Sequence, residues 1–175
     1  YVSLNVSYQQ FLVDDYAKDV IETIKKYDVD PSCIIIELTE STKVKNTELL
    51  ADVFNELRES GIGIALDDFG TGYNTYEAIK RLPCSGVKID HNFVRSLSND
   101  SNYVDLTIVK SVISLCKDLG KSVIIEGVEA KEIDEIVRNL PTGILQGFYY
   151  SKPISKLDFE HLVETNRDSI KQSEL

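Results

Sequence analysis

A chain of 175 residues with 42% apolar and 27% charged side chains, 9 Gly and 4 Pro, has the composition of a globular domain, which excludes collagenous, coiled-coil and disordered classes. Its 19 basic and 29 acidic residues leave a net charge of −10, so neither a DNA or RNA polymer nor an anionic membrane surface is an expected partner. No apolar run approaches the roughly 18 to 20 residues of a bilayer span, and YVSLNVSYQQ lacks the regions of a signal peptide; no membrane contact is expected from this segment.

The chain opens on Tyr1 and contains no Met, which reads as part of a longer protein whose remainder could carry a membrane anchor. Cys33, Cys84 and Cys116 are widely spaced, with no CxxC pair for zinc or a redox disulfide. They are expected to be small packing residues in a reducing, cytoplasmic setting.

In chain order, short β-rich runs alternate with helical patterns. The runs are 2–6 (VSLNV), 33–38 (CIIIEL), 62–67 (IGIALD), 86–90 (GVKID), 122–127 (SVIIEG) and 143–148 (GILQGF). The clearest helix is 102–119, where Val104, Ile108, Val112, Leu115 and Leu119 recur at helical spacing, Ile113 and Cys116 widen the stripe, and Gly120 supplies the stop. Residues from about 167 onward are polar and expected to fray. This βα alternation implies a parallel sheet. A glycine-rich phosphate turn is missing after the first run, where Asn5, Val6, Ser7 and Tyr8 stand, which disfavours a doubly wound sheet. The expected fold is α/β, a (β/α)8 TIM-type barrel with about six of its eight strands in this chain.

The ends of the six runs carry the chemistry. In order they present Asn5, Glu37 with Glu40, Asp67 with Asp68, Lys88 with Asp90, Glu126 with Glu129, and Gln146. In a barrel all of these meet on one face, where converging carboxylates repel unless a cation sits among them. Oxygen donors without His or Cys favour hard ions such as Mg2+ or Mn2+. A lone carboxylate at a strand end is ordinarily a helix cap or a solvated loop residue, and Glu40 before Ser41 can be that alone. Six strand ends in succession are not accounted for that way. Lys88 and Asp90 flank Ile89, so alternation sends both into the barrel, either as a structural ion pair or to position water and stabilise negative charge. Asp67 and Asp68 are expected to point in different directions and so serve two metals, with Gly70 and Gly72 letting backbone approach a ligand. His161 reads as a surface or packing residue on the final helix; His91 is placed where it could touch a ligand. Residue types alone leave two enzyme readings open, metal-assisted phosphoryl hydrolysis and metal-stabilised enolate chemistry.

Six blocks in register resemble one family: SLNVS (3–7), IELTES (36–41), IALDDFGTGYNTYEAIKRLP (64–83), VKIDHNFV (87–94), IIEGVEAKE (124–132) and LQGFYYSKPIS (145–155). Together they resemble the EAL domain, the bacterial cyclic di-GMP phosphodiesterase. The resemblance implies metal-dependent hydrolysis of one phosphodiester bond of cyclic di-GMP to linear pGpG, with two ions of Mg2+ or Mn2+. By motif position it implies Asn5, Glu37, Asp67, Asp68 and Asp90 as metal ligands and Lys88 and Glu126 as catalytic groups. Glu40, Gly70, Gly72, Glu129 and Gln146 would support the site or contact substrate. The alternative within the family is an inactive EAL-like receptor or protein-interaction module.

Three departures stand out. Position 91 is His where the family more often has Arg, and the approach to Gln146, Leu140-Pro141-Thr142-Gly143, lacks the usual Gly-Cys-Asp. The Glu-Ala-Leu tripeptide itself is absent from the sequence. Residues 1–175 are therefore expected to be the carboxyl-terminal portion of a single EAL barrel domain, with a GGDEF or sensory domain upstream in the full-length protein. An incomplete barrel would expose strand edges, so the isolated chain is expected to form a homo-oligomer and to turn over weakly.

Overall fold

The computed structural model describes residues 1–39, 47–71, 76–98 and 103–173, with side chains described as far as residue 166. Six strands form one parallel sheet in sequential order: β1 (Val2–Ser7), β2 (Ile34–Thr39), β3 (Gly63–Phe69), β4 (Gly86–Ile89), β5 (Ser122–Ile125) and β6 (Ile144–Leu145). Helices follow the strands: α1 (Tyr8–Phe11), α2 (Tyr16–Lys26), α3 (Thr47–Glu59), α4 (Tyr76–Arg81), α5 (His91–Arg95), α6 (Tyr103–Asp118), α7 (Lys131–Val137) and α8 (Lys156–Ser173). Consecutive parallel pairing with helical crossovers is the winding of a TIM-type barrel.

The pleat sorts the side chains. Ile36, Leu38, Ile64, Leu66, Val87, Ile89, Val123 and Ile125 are buried in one hydrophobic cluster with Leu50, Phe54 and Leu57 of α3 and Val109, Val112, Ile113 and Cys116 of α6. Burying one such side chain stabilises the fold by roughly 1.5–3 kcal/mol. The alternate residues face the other way. Register pairs Asn5 with Glu37, Glu37 with Ala65, Ala65 with Gly86, and Gly86 with Ser122. Around the amino ends of the strands this inner face is lined by Ile35, Gly63, Ala65, Gly86, Ile124 and Ile144. Towards the carboxyl ends it turns polar, with Glu37, Asp67 and Lys88 all buried.

Several local expectations shift. Strand β3 runs two residues past Asp67, whereas Glu126 and Gln146 lie just beyond β5 and β6. Helix α6 buries Val109 together with the expected Val112, Ile113 and Cys116, whereas Val104, Ile108 and, just past the helix, Leu119 are exposed. Apolar residues extend beyond one stripe, so tertiary packing chooses among them. Gly120 ends α6 at φ 65°, with the Lys121 N–H donating to the Cys116 carbonyl at 2.8 Å, as a helix C-cap should. Cys84 and Cys116 are buried, but Cys33 is exposed, because it closes a short 3-10 turn ahead of β2. The backbone of α8 is helical to Ser173.

Candidate active site

Strand β4 carries the centre of the site. Lys88 is 4% exposed, and its Nζ lies 2.8 Å from Glu37 Oε2, 3.0 Å from Asp67 Oδ1 and 3.1 Å from Glu126 Oε2. One ammonium thus joins β2, β3, β4 and the loop after β5. Burial opposes its charge, but hydrogen bonds to Glu37 and Asp67 and the charges of Glu126 and Asp67 outweigh that cost, so the Lys88 pKa is raised and the group stays cationic.

The second carboxylate of β3 arrives by a backbone device. Between Leu66 and Phe69 the pairing with β4 slips, and Asp68 adopts φ 50°, the left-handed region that a non-glycine residue rarely enters. Strand alternation predicts that Asp67 and Asp68 diverge. The bulge instead brings both to Glu126, with one oxygen from each of the three within 4.8 Å of the others. Strain of this kind, costing about 1–3 kcal/mol, is typical of functional positions. The Thr71 N–H and Oγ1–H both donate to the Asp68 carbonyl, at 3.1 and 2.9 Å, and hold the bend.

Asp90 is buried at the mouth of β4. It caps α5, its Oδ1 accepting from the Asn92 N–H at 2.9 Å and from Asn92 Nδ2 at 2.7 Å, while Oδ2 lies 3.3 Å from His91 Nδ1. The crowding of acids shifts their pKa values. The Asp68 carboxyl is raised above its ordinary value first by burial and then by the charges of Asp67 and Asp90. Glu126 is raised by burial, with Lys88 opposing and Asp67 and Asp68 adding to the rise.

The remaining expected residues are placed more loosely. Asn5 stands beside Glu37 in register and is exposed. Glu129 is exposed in the loop after β5, with no side-chain partner among the described residues. Gln146 is exposed too, but its backbone knits that loop to β6: its N–H donates to the Ile125 carbonyl at 2.8 Å, and its carbonyl accepts from the Val128 N–H at 3.1 Å. Gly70 adopts φ 101°, and a Cβ there would stand 2.7 Å from Phe93 Cε2. Glu40 and Gly72 lie outside the described residues.

Two features escaped the sequence. Phe93 fills the space beneath Gly70, and Tyr150 bonds Asp134 on α7 at 2.5 Å. An aromatic two residues beyond the Asp90–His91 pair was a signal for the first; nothing in spacing signalled the second.

The site fits a divalent cation. Among the described residues, Glu37 Oε1 is buried with no hydrogen-bond partner, and a single ammonium stands among Glu37, Asp67, Asp68, Asp90 and Glu126. The donors there are carboxylate oxygens, the ligands of hard ions.

A family model described as the EAL domain matches residues 1–153 of the chain. The chain belongs to the EAL-domain family. The chain is 34% identical over 153 residues to the bifunctional diguanylate cyclase/cyclic di-GMP phosphodiesterase MucR of Pseudomonas aeruginosa, an alignment covering 87% of this chain and 22% of that protein. It thus spans less than a quarter of that relative's length. The crystal structure of the EAL domain of Mycobacterium smegmatis DcpA superposes with a TM-score of 0.87 at 33% identity, covering 93% of this chain and 72% of that one. The manganese and cyclic di-GMP complex of BlrP1 from Klebsiella pneumoniae, at 28% identity, gives a TM-score of 0.76 over 86% of this chain and 38% of that one. The six strands and their helices therefore have the architecture of the EAL barrel, with Glu37, Asp67, Lys88 and Asp90 on its inner, carboxyl-terminal rim. No described helix of this EAL chain is long and apolar enough to cross a membrane.

Proposed function

We propose that this EAL chain carries the hydrolytic site for cyclic di-GMP, opening one phosphodiester bond to give linear pGpG with Mg2+ or Mn2+ as cofactor. The observation that carries the reading is the convergence of Asp67, Asp68 and Glu126 within 4.8 Å beside the Lys88 ammonium. Glu37, Asp67, Asp68 and Asp90, with Asn5 beside them, would hold two cations. When bound, such ions supply Lewis-acid stabilisation of the phosphoryl oxygens and make water acidic enough to attack near neutral pH.

The chain's own residues do the rest. Glu126, raised by burial and by its acidic neighbours, is a base that takes the proton of the attacking water. The water oxygen bonds to phosphorus, the bond from phosphorus to the 3′ oxygen breaks, and the departing oxygen takes up a proton as the ring opens. Lys88 remains charged and stabilises the negative charge that grows on the phosphoryl group. Gly70 lets the loop after β3 close on Phe93, and Gln146 ties the loop bearing Glu126 to the sheet. Glu40, Gly72 and Glu129 complete the supporting set.

The setting follows from the same features. Buried, unpaired Cys84 and Cys116 support a reducing cytoplasm. Likeness to a bifunctional cyclase and phosphodiesterase supports a GGDEF or sensory domain in the full-length protein, and exposed Leu157, Phe159 and Leu162 on α8 support self-association. The test is release of pGpG and affinity for cyclic di-GMP in Glu126→Gln and Lys88→Ala. Turnover is expected to fall by about 10²–10⁴ with binding retained. Wild-type rates in both variants would refute the assignment, and binding without turnover in the unmodified protein would mark a receptor.

A further inference from the structure

His91 is the first residue of α5, directly after Asp90, and its side chain is 51% exposed at the mouth of the site. Its Nδ1 lies 3.3 Å from Asp90 Oδ2. Opposite it, Gly127 adopts φ 76°, and a Cβ on that residue would fall 2.5 Å from His91 Cβ. Only a residue without a side chain allows the loop after β5 to come so near. The approach carries the neighbouring Glu126 to the Asp90–His91 pair: one atom from each of Asp90, His91 and Glu126 lies within 4.8 Å of the others. This group shares Glu126 with the all-oxygen group of Asp67, Asp68 and Glu126, but it alone includes a nitrogen donor.

We propose that His91, with Asp90 and Glu126, forms a nitrogen-bearing cation site that takes late first-row divalent ions such as Co2+ and Zn2+ in preference to Mg2+. The inference rests on the metal-centre reading above and extends it to ion selection. Imidazole is a borderline donor whose affinity rises along the first-row series, whereas Mg2+ keeps to oxygen and water. Carboxylate oxygens alone would accept Mg2+ and Mn2+ on nearly equal terms; an added imidazole tilts that balance. His91 is half exposed, so its ring can turn toward an ion without disturbing the core.

The experiment titrates wild type, His91→Gln and Asp67→Asn with Co2+, Zn2+ and Mg2+, and records nitrogen modulation in the pulsed EPR of bound Mn2+. In His91→Gln the nitrogen signal is expected to vanish and the affinity for Co2+ and Zn2+ to fall at least about tenfold, with Mg2+ affinity changing by less than about twofold. Asp67→Asn leaves the His91 group intact and should keep the nitrogen signal while losing Mg2+ affinity. His91→Gln should melt within about 2 °C of wild type, as befits a half-exposed position. Absence of nitrogen coupling in wild type with Mn2+ bound, or an equal loss for all three ions in His91→Gln, would overturn the inference and leave the metal-centre reading standing. Failure of the wild type to bind any of the ions would overturn both.

Discussion

Lys88 and Glu37, 51 positions apart in sequence, meet at 2.8 Å on the inner face of the sheet, where their side chains are 5% and 4% exposed. The pair is closed further by Asp67 and Glu126, each within 3.1 Å of the same ammonium. Its role is to let carboxylates from β2, β3 and the loop after β5 share one small volume. Removing the ammonium leaves three poorly solvated anions facing each other. Lys88→Met should therefore destabilise the fold by about 3–5 kcal/mol at neutral pH. Added Mn2+ or Mg2+ should recover much of that loss, since a cation can take over the role of the ammonium. Thermal melts with and without the ion check this; a variant as stable as wild type would show that the pair contributes nothing.

Gly70 meets two constraints at once, a φ of 101° and the ring of Phe93 at 2.7 Å from where a Cβ would be. Phe93 sits in α5, which Asp90 caps. Gly70→Val should thus push Phe93 and, through α5, displace Asp90. Activity should fall at least tenfold for a stability loss of about 1–3 kcal/mol, a drop of a few degrees in Tm. A loss of Tm large enough to account for the whole loss of activity would make the glycine purely structural.

Tyr150 donates to Asp134 Oδ1 at 2.5 Å, and Arg138 donates to the same carboxylate at 3.0 and 3.1 Å. The Tyr150 bond, then Arg138, holds the Asp134 carboxyl below its ordinary value, and burial followed by the Asp134 bond pushes the Tyr150 phenol up to about 12. The signs differ. A depressed carboxyl stabilises the fold above its unfolded pKa near 4 and loses that contribution as pH falls further; a raised phenol stabilises it below about 10 and loses that contribution as pH climbs to about 12. The Tm difference between wild type and Tyr150→Phe should accordingly be widest at intermediate pH and shrink toward both ends. A difference constant across pH would mean that the contact is not a charged anchor.

How much of this was legible in the sequence depends on the range of the interactions involved. The parallel sheet follows from the alternation of strand and helix patterns, and the inward pointing of Lys88 and Asp90 from period-2 alternation about Ile89; both signals are local. The Asp68 reversal was not legible, because a bulge depends on pairing with β4 and breaks the alternation that predicted divergence from Asp67. The face of α6 was legible only in part: Val112, Ile113 and Cys116 are in the core as expected, but packing buries Val109 and leaves Val104 and Ile108 exposed. The Tyr150–Asp134 bond joins two segments with no shared pattern. His91 was placed near a ligand by its neighbour Asp90, but its partner Glu126 comes near only through the Gly127 turn.

The most direct measurement of the central claim is release of linear pGpG from cyclic di-GMP as a function of Mn2+ or Mg2+ concentration, with the chain in its natural full-length context and Glu126→Gln run alongside. The account predicts turnover that chelation stops, that either ion restores in a saturable manner, and that Glu126→Gln lowers by about 10²–10⁴ while cyclic di-GMP remains bound. Turnover indifferent to chelation, or cyclic di-GMP bound at saturating cation with no linear product, would contradict it.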